Sequence, residues 1–122
     1  MAERFGRRVR NLVASMEHRN VFGVGIAADR KSVGAWETEV GGEYFAVGVG
    51  GAVTGRRADC GLIDDPIRGV EDADSERART RIWEWFINDF RTRLKPQAVQ
   101  IIIASRWHDD DLIGRLLERE RD

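Results

Sequence analysis

Cysteine and proline are both scarce in this chain of 122 residues, which has one cysteine, Cys60, and two prolines. A single cysteine excludes an internal disulfide and a multi-cysteine zinc site, and it suits a reducing compartment. With 42% hydrophobic residues, the composition is that of one globular domain and excludes a disordered or fibrous class. Uninterrupted apolar runs are only a few residues long, so neither a membrane span nor a signal peptide is predicted.

An excess of charge of one sign is also lacking. Twenty Lys and Arg residues oppose 21 Asp and Glu residues, for a net charge of −1. The sequence therefore has no global basic field of the kind that marks a nucleic-acid-binding protein. Any such interaction would depend on local patches.

The N-terminal third of the chain combines a helical pattern with a strand-like one. Apolar residues recur at spacings of three and four over residues 5–16, with arginines between them, which predicts an amphipathic helix. Residues 21–28 and 36–53 interleave apolar and β-branched residues with glycines. That composition predicts short strands joined by tight turns.

A short apolar run over residues 60–63 is followed by Asp64, Asp65 and Pro66. The run is typical of a strand. Because the residue before a proline is disfavoured in the helical region, Asp65 is predicted to be extended. Both carboxylates are then expected at the end of this strand.

A helix is predicted next, because large apolar residues recur at helical spacing between Ile82 and Leu94. Asp74 or Ser75 is its expected N-cap, and Pro96 its stop. The arginines of this helix alternate with acidic residues, which predicts a solvated face of mixed charge rather than a nucleic-acid surface; they are Arg77, Arg79, Arg81, Arg91 and Arg93.

The last part of the sequence predicts one more strand and one more helix. Residues 99–104 are almost wholly apolar, as in a strand covered on both faces of a parallel sheet. Residues 109–111 form an acidic first turn before a further helical stripe. A strand, helix, strand, helix order predicts an α/β protein with a parallel sheet and a crossover connection.

Ligands of open α/β sheets bind beyond the carboxyl ends of the strands. The pair Asp64 and Asp65 and the polar residues 105–108 both follow predicted strands, so the two groups are expected to be neighbours. In a nucleotide-hydrolysing site, Asp64 would hold Mg²⁺ and Asp65 would polarise the attacking water. The alternative is an acidic loop that helps to cap the next helix.

Two other patterns are weaker. Residues 50–57, GGAVTGRR, approach the phosphate-binding pattern GxxxxGK[ST], but Arg56 and Arg57 replace the lysine and the hydroxyl, and no room remains for the helix that such a loop precedes. A glycine-rich turn is the better prediction. His108, next to three aspartates, is better explained as part of a polar strand end than as a metal ligand.

Several blocks of the sequence resemble the large subunit of tailed-phage terminases over nearly the whole chain. They are GGEYFAVGVGGAVTGRRAD at residues 41–59, LIDDP at 62–66, RLKP at 93–96 and SRWHDDDLIGRLL at 105–117. Their order and spacing both agree with that family. The family is a DNA-packaging motor with an N-terminal P-loop ATPase of the additional-strand class, followed by a metal-dependent nuclease.

The resemblance implies roles for individual residues. Asp64 would bind Mg²⁺ in the Walker B strand, and Asp65 would orient water, although many relatives have Glu there. Ser105 and Arg106 resemble the coupling motif that senses the γ-phosphate of ATP. Arg56 lies where such motors can supply an arginine finger to a neighbouring subunit.

The resemblance also sets the expected context of the chain. Residues 1–122 are expected to form a single partial domain, the later half of the ATPase without its P-loop strand. Without a GxxxxGK[ST] segment or the nuclease cluster, the isolated chain is expected to be a poor ATPase that binds Mg²⁺-ATP weakly or not at all. Expected partners are double-stranded DNA, the portal protein, the terminase small subunit and further copies in a ring, in the bacterial cytoplasm.

Two alternatives to the motor interpretation are retained. The chain is either a non-catalytic prophage remnant or interaction module that docks to packaging proteins, or a small metal hydrolase that uses Asp64, Asp65 and His108. The first alternative follows from the apolar strand edge that a missing P-loop strand would expose. The second has few potential ligands.

Overall fold

The computed structural model describes residues 2–53 and 55–121, with the side chains of residues 30 and 31 excepted. Thr54, which belongs to the terminase-like run, lies outside the described residues. The chain divides into two compact units, Met1–Gly48 and Val49–Asp122. No helix in the described part of the chain is long and apolar enough to cross a bilayer.

The first unit begins with two helices, α1 (Ala2–Val13) and α2 (Met16–Phe22). The prediction of one helix over residues 5–16 is therefore wrong in its C-terminal bound. Ser15 is the cause, because its hydroxyl accepts a hydrogen bond from the His18 N–H (3.2 Å) and donates one to the Leu12 carbonyl (2.6 Å). It thereby ends one helix and caps the next.

Three strands follow in an antiparallel sheet of order β1-β2-β3: β1 (Ile26–Lys31), β2 (Ala35–Thr38) and β3 (Glu43–Phe45). The predicted strand bounds are wrong at both ends. Residues 21 and 22 belong to α2. Residues 36–53, predicted as short strands joined by tight turns, do contain most of β2 and all of β3, but strand structure ends there at Phe45. Within the segment beyond Phe45, Gly50 has a φ of 85°, which does not belong to an extended strand.

The core of the first unit is a stack of Trp36 on Tyr44, with ring centroids 4.9 Å apart. Gly6 of α1 packs against this stack. A Cβ at Gly6 would lie 2.7 Å from the Tyr44 ring and 2.9 Å from the Val33 carbonyl. Only glycine lets α1 approach the sheet so closely.

The second unit alternates strands and helices as predicted. Its elements are β4 (Ala58–Asp64), α3 (Val70–Asp74), α4 (Glu76–Trp85), a π-helical turn (Phe86–Phe90), a 3₁₀ turn (Arg91–Arg93), β5 (Leu94–Ile103) and α5 (Leu112–Glu120). β4 and β5 pair in parallel, with Leu62 opposite Ile101 and Asp64 opposite Ile103. This part of the chain is a mixed α/β structure with a small parallel sheet flanked by helices.

The helical connection between β4 and β5 is less regular than predicted. Ser75 does cap α4, accepting a hydrogen bond from the Ala78 N–H at 3.2 Å, which confirms that prediction. The helix continues as a wider π-helical turn over Phe86–Phe90 and then as a tighter 3₁₀ turn over Arg91–Arg93. Helical structure ends at Arg93. Pro96 lies inside β5 rather than acting as a helix stop.

The core of the second unit lies on one face of the β4–β5 sheet. It consists of residues from β4, the loop after β4, α3, α4, the π-helical turn and α5: Ile63, Ile67, Ala73, Ile82, Trp85, Phe86 and Leu112. The other face is open, since Leu62 is 60% exposed and Ile101 is 43% exposed. The prediction that residues 99–104 are covered on both faces is wrong, because the helices pack against one face.

Candidate functional site

The two polar groups that the sequence predicted to be neighbours lie together at the carboxyl edge of the β4–β5 sheet. Parallel pairing in register places the end of β4, at Asp64, beside the end of β5, at Ile103. The residues that follow the two strands then meet directly, because the Ser105 N–H donates a hydrogen bond of 3.1 Å to Oδ1 of Asp65. The predicted neighbourhood is confirmed.

Asp65 has a left-handed backbone, with a φ of 48°, so the prediction that it is extended is wrong. Its N–H donates a hydrogen bond of 2.8 Å to the Ile103 carbonyl, while its side chain accepts the one from Ser105. These bonds to the end of β5 hold a conformation that a following proline disfavours. Aspartate is among the few residues that tolerate it, and strained backbone of this kind is concentrated at functional sites.

Asp64 differs from Asp65 in having its side chain on the open face of the sheet. It pairs in register with Ile103 and is exposed. An exposed carboxylate next to a second one is suited to a hydrated divalent cation, because Mg²⁺ keeps several of its waters and takes one or two carboxylates from the protein.

Arg106 is directed toward the start of α5. Its Nε donates a hydrogen bond of 2.7 Å to Oδ2 of Asp111, and its terminal nitrogen donates one of 3.3 Å to the Asp109 carbonyl. Asp111 is buried and caps α5 through the Gly114 N–H at 2.8 Å. The prediction that residues 109–111 form the acidic first turn of this helix is wrong, because α5 begins at Leu112 and Asp111 is its N-cap. The burial of Asp111 was not predicted, and it accompanies the two hydrogen bonds that its carboxylate accepts, from Arg106 and from the Gly114 N–H.

Asp110 connects the loop after β5 to the helices of the second unit. Both of its oxygens accept hydrogen bonds from Arg115, at 2.8 and 2.9 Å, and Oδ2 also accepts one of 3.4 Å from Nε of Arg79. The hydrogen bond from Arg115 holds the pKa of Asp110 below its usual value, and the same contact raises the pKa of Arg115. The loop that carries Ser105 and Arg106 is therefore held in place by charge-assisted hydrogen bonds.

The prediction that the arginines of this helix form a solvated face is wrong for Arg79. It is buried, and besides Asp110 it donates a hydrogen bond of 2.6 Å to the Ala73 carbonyl at the end of α3. Its position, three residues before Ile82 and seven before Phe86, was the signal that sequence reasoning passed over. Those two residues are buried, so Arg79 shares the buried face of α4.

His108 takes part in the turn that follows β5. Its Nδ1 accepts a hydrogen bond of 3.0 Å from the Asp110 N–H. Within residues 2–53 and 55–121, no group of three or more His, Cys, Asp or Glu side chains is placed to hold a metal ion. His108 therefore does not complete a three-residue ligand set with Asp64 and Asp65.

Arg56 lies at the opposite end of β4 from the acidic pair. The strand has seven residues, roughly 20 Å at about 3.3 Å per residue. The structure thus brings together Asp64, Asp65 and Ser105 within one chain, with Arg106 nearby, but not Arg56. A contribution of Arg56 to a neighbouring subunit stays a prediction.

Comparison with known proteins does not assign the chain to a family. No model of a protein family matches the chain, and no curated protein matches it either. The structure accordingly defines a mixed α/β protein in which polar residues follow the carboxyl ends of two parallel strands.

Proposed function

We propose that this chain is the Walker B and coupling-motif part of the ATPase domain of a tailed-phage terminase large subunit. In this proposal it is a partial P-loop NTPase of the additional-strand class, from the motor that drives DNA into proheads by ATP hydrolysis. The observation that carries the proposal is the Asp65–Ser105 hydrogen bond at the carboxyl edge of two parallel strands. This edge is where α/β sheets bind ligands.

In the proposed site, Asp64 holds Mg²⁺ and Asp65 orients the attacking water. The residues fit a metal of this kind, because Mg²⁺ in nucleotide sites takes one or two carboxylates and completes its coordination with water and phosphate. When bound, Mg²⁺ neutralises charge that develops on the phosphates. The bond between Asp65 and the Ser105 N–H fixes the orientation of the carboxylate before substrate arrives.

Ser105 and Arg106 act on the phosphate side of the proposed site. The loop that carries them is fixed through Asp110 and Asp111 to α4 and α5. A change at the γ-phosphate that displaces Arg106 would therefore act on α5 through Asp111. This connection is a physical basis for coupling hydrolysis to movement.

The partners of the proposed motor rest on the sequence resemblance. They are double-stranded DNA, the portal protein, the terminase small subunit and further copies of the motor in a ring, in which Arg56 would act on the next subunit. The setting is the host cytoplasm at the prohead vertex.

Titration of the chain with Mg²⁺-ATP, followed by amide NMR signals, tests the nucleotide proposal. NMR is suited to the weak binding expected here. We expect the largest shifts at residues 64–65 and 105–107, and their loss in Asp64→Asn. Asp59→Asn is the matched control, because it neutralises an exposed carboxylate at the other end of β4. Equal shifts in wild type and Asp64→Asn would contradict the proposed metal role.

One observation favours a second candidate, a non-catalytic prophage remnant or interaction module that docks to packaging proteins. The guanidinium of Arg106 is already engaged by Asp111 and the Asp109 carbonyl, which leaves less of it for a phosphate. This candidate predicts no shifts at residues 105–107 with Mg²⁺-ATP. It also predicts capture of the chain by purified portal protein or terminase subunits.

A further inference from the structure

Helix α1 carries a strip of exposed apolar side chains, which we term the α1 strip. Phe5, Val9 and Leu12 recur at spacings of four and three residues, so they line one side of the helix. Their exposed fractions are 47%, 42% and 63%. The strip is roughly 10 Å long by the rise of an α-helix. Adjoining exposed apolar side chains of this kind mark an interaction surface.

The α1 strip is not the side by which α1 packs on its own unit. Gly6 faces the sheet, since a Cβ there would lie 2.7 Å from the Tyr44 ring. The Tyr44 hydroxyl also donates a hydrogen bond of 3.4 Å to the Ala2 carbonyl. The sheet of the first unit therefore holds α1 in place and leaves the α1 strip uncovered.

Two arginines border the α1 strip on the side away from Gly6. Arg8 follows Phe5 by three residues and precedes Leu12 by four, so it lies beside both, and Arg4 lies one turn before Arg8. Both arginines are exposed, and neither has an ion-pair partner among the residues that the structure describes. The border of the strip thus carries positive charge that no described carboxylate neutralises.

The helix as a whole has an excess of positive charge. It contains four arginines and one acidic residue, Glu3. Oε1 of Glu3 lies 3.7 Å from the position of a Cβ on Gly34, just before β2, and so on the sheet side of the helix. The outer side of α1 is therefore basic next to the α1 strip, and it attracts an anionic surface.

We propose that α1 lies on the surface of an anionic phospholipid bilayer, with the α1 strip in the boundary between headgroups and acyl chains. Interfacial helices of this kind combine an apolar side containing Phe and Leu with a polar side rich in arginine. Arg4 and Arg8 extend to the headgroup phosphates while their methylene groups stay beside the strip. This inference concerns the first unit and does not depend on the proposed nucleotide site.

The pairing of an apolar strip with unpartnered arginines selects this occupant. A second copy of α1 has the same excess of positive charge, which opposes pairing of the two helices. A nucleic-acid backbone would use the arginines but leave the α1 strip in water, whereas a neutral apolar groove would cover the strip but leave the arginines unpaired. An anionic bilayer satisfies both features, because phosphates lie directly above its acyl chains.

Cosedimentation of the full chain with lipid vesicles tests the proposal. We expect the chain to bind vesicles of phosphatidylcholine and phosphatidylglycerol in equal parts, and to bind vesicles of phosphatidylcholine alone at least about tenfold more weakly. Leu12→Ser should weaken binding to the mixed vesicles at least about tenfold. Leu62→Ser is the matched control and should bind as wild type does, because Leu62 is 60% exposed but belongs to β4.

Arg8→Gln tests the contribution of charge. We expect it to weaken binding to the mixed vesicles about fivefold, the usual effect of one arginine near an anionic surface. Arg77→Gln changes the net charge equally at an exposed residue of α4, and it should bind as wild type does. Circular dichroism checks that each variant is folded.

A wild-type chain that does not bind the mixed vesicles would overturn the proposal. So would equal binding to both kinds of vesicle, or a folded Leu12→Ser or Arg8→Gln variant that binds as wild type does. Binding of duplex DNA that Arg8→Gln weakens, in a chain that does not bind vesicles, would assign the basic side of α1 to a nucleic acid instead.

An environment-sensitive fluorophore tests which side of α1 meets the lipid. It is attached to Leu12→Cys or to Asn11→Cys in a Cys60→Ser background, since Cys60 is the one cysteine of the chain. We expect the mixed vesicles to shift the emission to the blue at residue 12 and to leave it nearly unchanged at residue 11, which lies on the polar side of α1. The same shift at both residues would overturn the proposed orientation.

Discussion

Asp111 is 2% exposed, and its two carboxylate oxygens have different partners. Oδ1 accepts the hydrogen bond from the Gly114 N–H that caps α5, and Oδ2 accepts the one from Arg106. A buried carboxylate is tolerated only when its oxygens are paired in this way. The burial of Asp111 therefore ties the start of α5 to the conformation of Arg106.

Replacing Asp111 tests this dual role. Asp111→Ala removes the cap and leaves Arg106 without its carboxylate, so we expect the free energy of unfolding to fall by about 2 kcal/mol. Asp111→Asn is the control, because its amide oxygen still accepts from Gly114 and the loss should be smaller. Urea unfolding measures both. An alanine variant as stable as wild type would contradict the role of the cap.

The carboxylate of Asp110 gives a pH dependence whose sign follows from its contacts. The hydrogen bond from Arg115 lowers the pKa of Asp110 below its ordinary value of 3.8. A group with a lowered pKa in the folded state stabilises the fold above the unfolded value, and this contribution is lost as the pH falls through the folded value. The side chain is 45% exposed, so solvent screens the contribution and it is modest.

Urea unfolding between neutral pH and pH values below 3.8 measures this dependence. We expect Asp110→Asn to weaken the fall in stability with acid that wild type shows. In an Arg115→Gln background, Asp110→Asn should have a smaller additional effect, because the main hydrogen-bond donor is already gone. The same change in both backgrounds would contradict the Arg115 contact as the cause.

Packing of the helical connection against β4 depends on a glycine. Gly61 is buried in the middle of β4, and a Cβ there would lie 2.6 Å from the Phe90 ring and 2.7 Å from Leu94. Phe90 belongs to the π-helical turn, which brings its ring against the strand. The close approach of strand and turn at this point therefore requires the absence of a side chain.

Gly61→Ala should lower the free energy of unfolding by about 1–3 kcal/mol, the usual effect of overpacking. Gly48→Ala is the matched control, because nothing lies within 4 Å of the added methyl group. Thermal unfolding by circular dichroism compares the two. Equal melting temperatures would show that Phe90 and Leu94 move aside at no cost.

For the molecule as a whole, each compact unit has a core of its own. The largest fully buried side chain is Phe86, in a cluster whose members all belong to the second unit, whereas the first unit contains the Trp36–Tyr44 stack. A change in one core is expected to act chiefly on the amides of the same unit, because stability is not uniform across a structure.

Phe86→Ala should cost the second unit about 3–5 kcal/mol, because it removes a buried aromatic ring and leaves a cavity. Hydrogen exchange of individual amides measures the effect. We expect faster exchange in β4, β5 and α4, and little change in β2 and β3. Trp36→Ala is the reciprocal control, with its effect in the first unit. Uniform acceleration across both units would show that the chain unfolds as one cooperative body.

The regular features of the second unit could be predicted from sequence because each depends on local patterning. Periodicity predicted β4, α4, β5 and α5 but not α3, and it placed the start of β5 at residue 99 where the strand begins at Leu94. Ser75 was predicted as a cap, with Asp74 as the alternative, because a side-chain oxygen before a helix satisfies a free N–H group. In the first unit the same reasoning failed at Ser15, where one hydroxyl separates two helices that share a continuous apolar stripe. The short, glycine-interrupted strands were also predicted to continue to residue 53, whereas β3 ends at Phe45.

Within the candidate site, sequence order alone placed Asp64, Asp65, Ser105 and Arg106 at one sheet edge. Once two strands are parallel and joined by a helix, their carboxyl ends must lie on the same side. The left-handed backbone of Asp65, the burial of Arg79 and the pairing of Arg106 with Asp111 were decided by tertiary structure. Each of these depends on a partner distant in space or on packing that no local pattern records, and the same is true of the uncovered face of β5.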